Sequence, residues 1–202
     1  MPLDVAAASR WRPPADWRRV RTIDAHTGGE PFRVVIEGGP QIPGATMAAK
    51  RRWAEAHADS LRRHLIWEPR GHADMYGGLP TEPVSPGADL GILFLHNAGF
   101  STMCGHGIIA LTKVVLDTGL LAQAAELAID SPAGLIRARA KNGAHGVERV
   151  AFTNVPAFVV TLDATVDVPG YGPLRYDLAF GGAFYAFVEA PALGLGLTAA
   201  GI

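Results

Sequence analysis

The hydrophobic positions change their period several times along the chain, and each change predicts an element. From Arg18 onward two β-compatible runs meet at Gly28-Gly29-Glu30-Pro31, the second being Phe32 to Ile36 before Gly38-Gly39, which predicts two strands around a functional turn. Thr46 is placed to cap a helix running to about Leu65. Met47, Ala54, Ala58, Leu61 and Leu65 share one side of it, while Arg51/Glu55 and Asp59/Arg63 are spaced i,i+4 toward solvent. His57 and His64 belong to that surface helix and need no ligand role. After Trp67–His72 comes a region with Gly77-Gly78, Pro80, Pro83 and Pro86 that reads as loop, and Leu90 to Leu95 reads as a buried strand.

A second helix is expected over roughly residues 104–118, capped by Ser101 or Thr102 and closed by Gly119. Ile108, Ile109, Ala110, Leu111, Val114, Val115 and Leu116 cover most of its circumference, leaving chiefly Lys113 and Asp117 polar. A helix apolar nearly all round must be enclosed, so strands are expected to wrap it. Short runs at Leu127–Ile129, Leu135–Ala138, Gly146–Phe152 and Ala157–Leu162, separated by Ser131-Pro132, Asn142-Gly143 and Pro156, are the expected wrappers. Residues 1–17 read as a frayed lead-in, 18–166 as a first lobe, and 167–202 as a linker and the opening of a second, incomplete lobe. GGAFYAFVEAP from Gly181 weakly echoes GGEPFRVVIEG from Gly28.

Composition narrows the class. Gly 24 and Pro 15 among 202 residues, without a collagen-like period, make a turn-rich globular chain. Lys plus Arg is 18 against 19 Asp plus Glu, a net charge of -1, so neither nucleic acid nor another bulk-charge partner is indicated. The apolar runs are far shorter than the roughly 18–20 residues of a membrane span, and the N-terminus has no leader pattern, so a cytoplasmic protein without membrane partner is expected. The seven histidines show no H-x-x-x-H spacing, and no metal is expected.

Cys104 is the only cysteine and stands at the start of the enclosed helix, where free N–H groups and the helix dipole favour an anion and lower a thiol pKa. Gly105 and Gly107 flank His106 and remove bulk from the first turn, so the amides there can approach a substrate carboxylate. Asn97, Thr102 and His26, with Asp24, Thr27 and Glu30 on the glycine turn, supply further hydrogen-bonding groups. Three readings stay open: a proton-abstracting thiolate, a nucleophile paired with a histidine as in a Cys-His hydrolase, and an inert buried cysteine in an interaction domain.

RTIDAHTGGEPFRVV (21–35), EPRGHADMYGG (68–78), HNAGFSTMCGHGIIALTKVVLDTG (96–119) and DLAFGGAFYAFVEA (177–190) resemble the proline racemase superfamily, which includes proline racemases, 4-hydroxyproline 2-epimerases and trans-3-hydroxy-L-proline dehydratases. The resemblance implies an α+β, diaminopimelate-epimerase-like fold, with a β-barrel-like sheet around a central helix in each of two lobes. It implies a cofactor-independent lyase or isomerase with a catalytic cysteine, acting on a small cyclic amino acid and a homodimer when intact. Cys104 would exchange the substrate Cα proton. Gly105, His106 and Gly107 would lie against the carboxylate and ring, with Asn97, Thr102 and His26 as further substrate-binding residues. The second acid/base group belongs to a DRSPxGTG-like motif that these 202 residues do not contain. Ser101-Thr102 and the Gly107–Leu111 continuation are closest to the dehydratase branch.

Overall fold

A computed structural model of the protein describes residues 3–196 and Thr198. It opens with a short exposed helix, α1 (Val5–Arg10), where the pattern predicts only a lead-in. Asp4 makes the difference: its side chain accepts from the Ala7 N–H at 3.0 Å and so caps the first turn. The two runs that follow are β1 (Arg21–Thr27) and β2 (Glu30–Glu37), an antiparallel hairpin whose pair Thr27 and Glu30 closes over Gly28 and Gly29. Both glycines have positive φ, +63° and +105°, as a two-residue hairpin turn demands.

The single helix expected from Thr46 is two. Thr46 does cap α2 (Met47–His57), accepting from the Ala49 N–H at 3.0 Å, but the backbone leaves helical geometry at Ala58 before α3 (Asp59–Ile66) begins. The break does not interrupt the apolar stripe, and Ala54, Ala58, Leu61 and Leu65 are all buried. The expected ion pairs form, Arg51 with Glu55 at 2.7 Å and Arg63 with Asp59 at 3.0 Å.

A second departure is β3 (Gly77–Thr81), which lies where glycines and a proline predict loop. The strand tolerates them for packing reasons. A Cβ on Gly78 would stand 2.8 Å from both Phe32 and Ile92, and Pro80 lies beyond the two residue pairs that join β2 to β3, where an N–H is not needed on that side. β4 (Leu90–Leu95) and the short β5 (Phe100–Ser101) lead into α4 (Gly105–Asp117), followed by β6 (Glu126–Ser131), β7 (Gly134–Gly143) and β8 (Gly146–Thr153).

These strands form one eight-stranded sheet in the order β1-β2-β3-β4-β6-β7-β8, with β5 on β4. Only β2/β3 and β4/β6 are parallel. The terminal strands β1 and β8 both pack on α4, so the sheet curls around that helix as an open half-barrel, the diaminopimelate-epimerase-like arrangement expected. Inside lie Phe32 and Val34 of β2, Leu90, Ile92 and Phe94 of β4, and Ile108, Leu111 and Val115 of α4. The opposite face of β4, Leu93 and Leu95, packs with Val35 and Leu79 under α2 and α3. Burial on both faces explains why β4 is apolar throughout and does not alternate.

A separate three-stranded sheet, β9 (Phe158–Val168), β10 (Gly172–Phe180) and β11 (Phe184–Phe187), follows. It begins ahead of the expected linker, and it takes in the run at Ala157–Leu162, one of the expected wrappers of α4, because β9 pairs with β10 and not, among the described residues, with the sheet around the helix. Residues 167–175 are the tight end of the β9–β10 hairpin, where Val168 pairs with Gly172. The Gly28 and Gly181 echoes both mark hairpin turns, of two and three residues respectively. Because Leu111 is fully enclosed between α4 and the sheet, Leu111→Ala is expected to lower stability by about 2–5 kcal/mol in urea denaturation.

Candidate active site

Cys104 holds the N-cap position of α4, with extended backbone angles of −147° and 107°. The cap expected of Ser101 or Thr102 is absent because both hydroxyls are engaged elsewhere. Ser101 Oγ donates to the Met103 carbonyl at 2.9 Å, and Thr102 Oγ1 donates to the Gly182 carbonyl at 2.5 Å. Cys104 is 8% exposed, and its sulfur lies 3.4 Å from His106 Nδ1 and 3.8 Å from Nε2. Thr27, at the end of β1, fixes this first turn by donating to the His106 carbonyl at 2.9 Å.

The expected lowering of the thiol pKa is corrected by this geometry. Burial pushes Cys104 up to about 11, the Gly107 N–H offsets this only in part, and the negative charge of Glu30 adds to the rise. At neutral pH the resting group is the thiol.

Aromatic rings surround His106. Phe32 meets it edge-on at 5.9 Å, and Tyr76 does so at 4.7 Å while also meeting His96 at 4.6 Å. His96 Nε2 is buried without a hydrogen-bond partner among the described residues. Burial first, and the neighbouring His106 second, push His96 down to about 4, so it is a neutral imidazole at physiological pH. The Tyr76 hydroxyl is shifted upward, by burial and then by Cys104, Glu30, Asp74 and Tyr185. Tyr76 is absent from the residues singled out by pattern; its only sequence signal is its place in the 68–78 motif.

The glycines of the first turn have packing reasons of their own. A Cβ on Gly107 would come within 2.4 Å of the Phe32 ring, and one on Gly105 within 3.1 Å of Phe152. Gly105, His106 and Gly107 stay with Cys104 in one cluster, and three other expected residues point elsewhere. His26 Nδ1 accepts from the Gly29 N–H at 3.3 Å within its own hairpin. Asn97 donates to the carbonyls of His72 at 3.1 Å and Ala73 at 2.5 Å, while its own carbonyl accepts from Arg62 at 2.7 Å and Trp67 at 3.0 Å. It therefore clamps the loop that delivers Tyr76. Thr102 reaches the turn between β10 and β11. Asp24 binds Arg33 through two contacts of 2.8 and 2.7 Å, a structural fork whose other arm reaches the Leu65 and Arg70 carbonyls.

The label of catalytic cysteine needs correction where it carries a two-cysteine dyad with it. The sequence holds one cysteine, so these residues cannot assemble such a pair. Among the described residues no group of three His, Cys, Asp or Glu is gathered for a metal, and no helix is long and apolar enough to cross a membrane.

Comparison with known proteins follows the same residues. The profile of the family described as "Proline racemase" matches residues 22–201. A trans-3-hydroxy-L-proline dehydratase of Burkholderia cenocepacia is 47% identical over 85% of this chain and 52% of its own length. A 3-hydroxyproline 2-epimerase of Burkholderia multivorans is 46% identical over the same shares, 85% and 52%. The crystal structure of a hydroxyproline epimerase from Agrobacterium vitis with bound trans-4-hydroxy-L-proline superposes with a TM-score of 0.79 at 32% identity, covering 91% of this chain and 55% of that one. The chain thus spans about half the length of the curated relatives it matches.

Two measurements check the electrostatics. With a single thiol present, thiolate absorbance should titrate near pH 11; a midpoint below about 8.5, the ordinary thiol value, overturns the burial argument. His96 takes up its proton only near pH 4 in the folded state but near 6.5 when unfolded, so it contributes stability that is lost as pH falls through that window. His96→Gln should flatten this part of the stability–pH curve. Gly107→Ala should destabilise by about 1–3 kcal/mol through collision with Phe32, and Phe32→Leu in the same chain should recover part of that loss.

Proposed function

Because the chain belongs to the proline racemase family, we propose that it contributes the Cys104 half of an active site that removes the α-proton of a proline-type amino acid without a cofactor. The observation that carries this reading is the Cys104–His106 pair at the start of the enclosed helix, within a segment that the family profile covers. The trans-4-hydroxy-L-proline bound in the Agrobacterium vitis epimerase supports a cyclic amino acid as the ligand class. A cytoplasmic location and a homodimeric intact enzyme remain part of the proposal.

The preferred reaction is dehydration of trans-3-hydroxy-L-proline, supported by the dehydratase from Burkholderia cenocepacia and by the Ser101-Thr102-Met103-Cys104 sequence. Ionised Cys104 takes the Cα proton and becomes a thiol. The C3–O bond breaks, the hydroxyl leaves as water after gaining a proton, and the resulting enamine tautomerises to the cyclic imine. A group on the far side of the ring supplies that proton. The Gly107 N–H is the group of this chain that favours negative sulfur, the His106 ring lies 3.4 Å from that sulfur, and in this reading the first-turn amides bind the substrate carboxylate.

The resting thiol has to lose its proton before this step. Substrate binding therefore must favour the ionised form, most simply when a cationic ring nitrogen enters beside the sulfur. Epimerisation is the second reading, favoured by the almost equal identity of the 3-hydroxyproline 2-epimerase. Both reactions begin with the same proton abstraction.

An exposed apolar face and an enclosed cysteine would also suit an interaction domain. Phe158, Val159, Leu162, Phe184, Tyr185 and Phe187 are indeed exposed on the second sheet, and Cys104 is buried. The family membership outweighs this reading, and in the proposed enzyme that face is where the remainder of a second lobe packs.

Assay of the protein carrying both lobes with trans-3-hydroxy-L-proline, trans-4-hydroxy-L-proline and L-proline should give pyrroline from the first. Rapid inversion without dehydration would instead establish the epimerase reading. Cys104→Ser should reduce Cα-H exchange in D2O by at least about a hundredfold, the scale of a lost general base; unchanged exchange removes Cys104 from the reaction.

A further inference from the structure

Two side chains of the first lobe hold consecutive carbonyls of one turn in the second sheet. Thr102 Oγ1 donates to the Gly182 carbonyl at 2.5 Å across 80 positions of sequence, and Asn154 Nδ2 donates to the Gly181 carbonyl at 2.8 Å. The turn itself links β10 to β11 and is closed by the Gly181 N–H donating to the Ala183 carbonyl at 3.1 Å.

Both donors are anchored on their own side. The Thr102 carbonyl accepts from the Ala133 N–H at 3.2 Å, and the Asn154 Oδ1 accepts from the Val155 N–H at 2.8 Å. Each donor residue is thus tied to its own side of the contact by a hydrogen bond of its own. The turn is also shaped for contact. Gly182 has φ +107°, and a Cβ there would lie 2.8 Å from Cβ of Met103, the residue immediately before Cys104.

We propose that Thr102 and Asn154 form a latch between the lobes, and that Thr102 is a positioning residue for Cys104. In this role Thr102 makes no substrate contact. Its hydroxyl fixes the β10–β11 turn against the residues that carry the thiol. This extends the reading above, in which the second lobe brings an opposing acid/base group: the latch holds the start of that lobe in register with Cys104. A misplacement of about 1 Å between two groups acting on one carbon is sufficient to lose much of a reaction rate. The latch also closes the Met103 side of the thiol to water and so sustains its burial.

The 202-residue chain suffices for the test. Thr102→Val keeps the shape and removes the donor, while Thr102→Ser keeps the donor. Hydrogen exchange by mass spectrometry should show the segment Gly181–Phe184 exchanging about fivefold faster in Thr102→Val, the loss of one net hydrogen bond of about 1 kcal/mol. Exchange in β4 and α4 should be unchanged, and Thr102→Ser should restore the wild-type pattern. The Cys104 titration, followed by thiolate absorbance, should move down from about 11 in Thr102→Val and return in Thr102→Ser.

Unchanged exchange at Gly181–Phe184 overturns the latch. Faster exchange with an unmoved thiol titration overturns the positioning role and leaves only a structural tie. Should Thr102→Val fail to fold, Asn154→Ala, which removes the half-buried partner donor, should show the same accelerated exchange; no acceleration there overturns the latch. None of these readouts uses catalysis. A full-length protein inactive on hydroxyprolines would thus refute the proposed reaction while leaving the latch to stand or fall on its own.

Discussion

One helix with almost no polar face constrains the eight-stranded sheet around it. α4 carries Ile108, Leu111, Val114, Val115 and Leu116 in buried positions around its axis, and only Lys113 and Asp117 leave it for solvent, joined to each other at 2.6 Å. Burying such a helix on one flat sheet would leave half its apolar surface in water. The sheet therefore curls until its terminal strands, β1 and β8, both reach the helix. Lys113 and Asp117 mark the open seam, where Asp117 accepts from the Val147 N–H at 2.8 Å and secures β8. The same curl leaves the end of the helix that carries Cys104 next to the hairpin of β1 and β2.

Close packing at that end sets the chemistry. Phe32 occupies the space a side chain at position 107 would need, and Phe152 approaches position 105, so the first turn is thin because rings fill it from both sides. Cys104 is itself buried in this core, and that burial raises the thiol more strongly than the single amide lowers it. The outcome is a thiol that is neutral at physiological pH. This differs from a preformed thiolate, so the proposed reaction requires the thiol to lose its proton as the ligand binds.

Polar residues near the motif divide into those that face the sulfur and those that build the frame. His106 faces it. Asn97, Arg62 and Trp67 instead converge on the segment after β4, with the buried Arg62 guanidinium donating to the His96 and Asn97 carbonyls at 2.7 Å each. That frame brings His96 and Tyr76 behind His106. Uncompensated groups in such a low-dielectric setting are expensive, which is why each framework carbonyl has a donor. His96 Nε2, unpartnered among the described residues, lies against Tyr76 within this group.

The sequence by itself determined the central helix, the strands β1, β2, β4, β6, β7 and β8 of the sheet around it, the turn at Gly28-Gly29, and the place of Cys104 and His106 at the start of that helix. These are local signals: period, turn chemistry and a short motif whose residues are neighbours in the chain. Only the tertiary structure decided that β3 is a strand, that the helix after Thr46 breaks at Ala58, and that Asn97, Thr102 and His26 serve hairpins and loops. The physical reason is the same in each case. Whether a glycine pair is a loop or a close-packed strand, and whether a hydroxyl meets a ligand or a carbonyl, depends on atoms that come from distant positions, as Gly182 does to Thr102. The thiol makes the point most sharply: its place at a helix start is readable in one dimension, but the burial that raises its pKa exists only once the sheet has closed around α4 and enclosed Cys104 in the core.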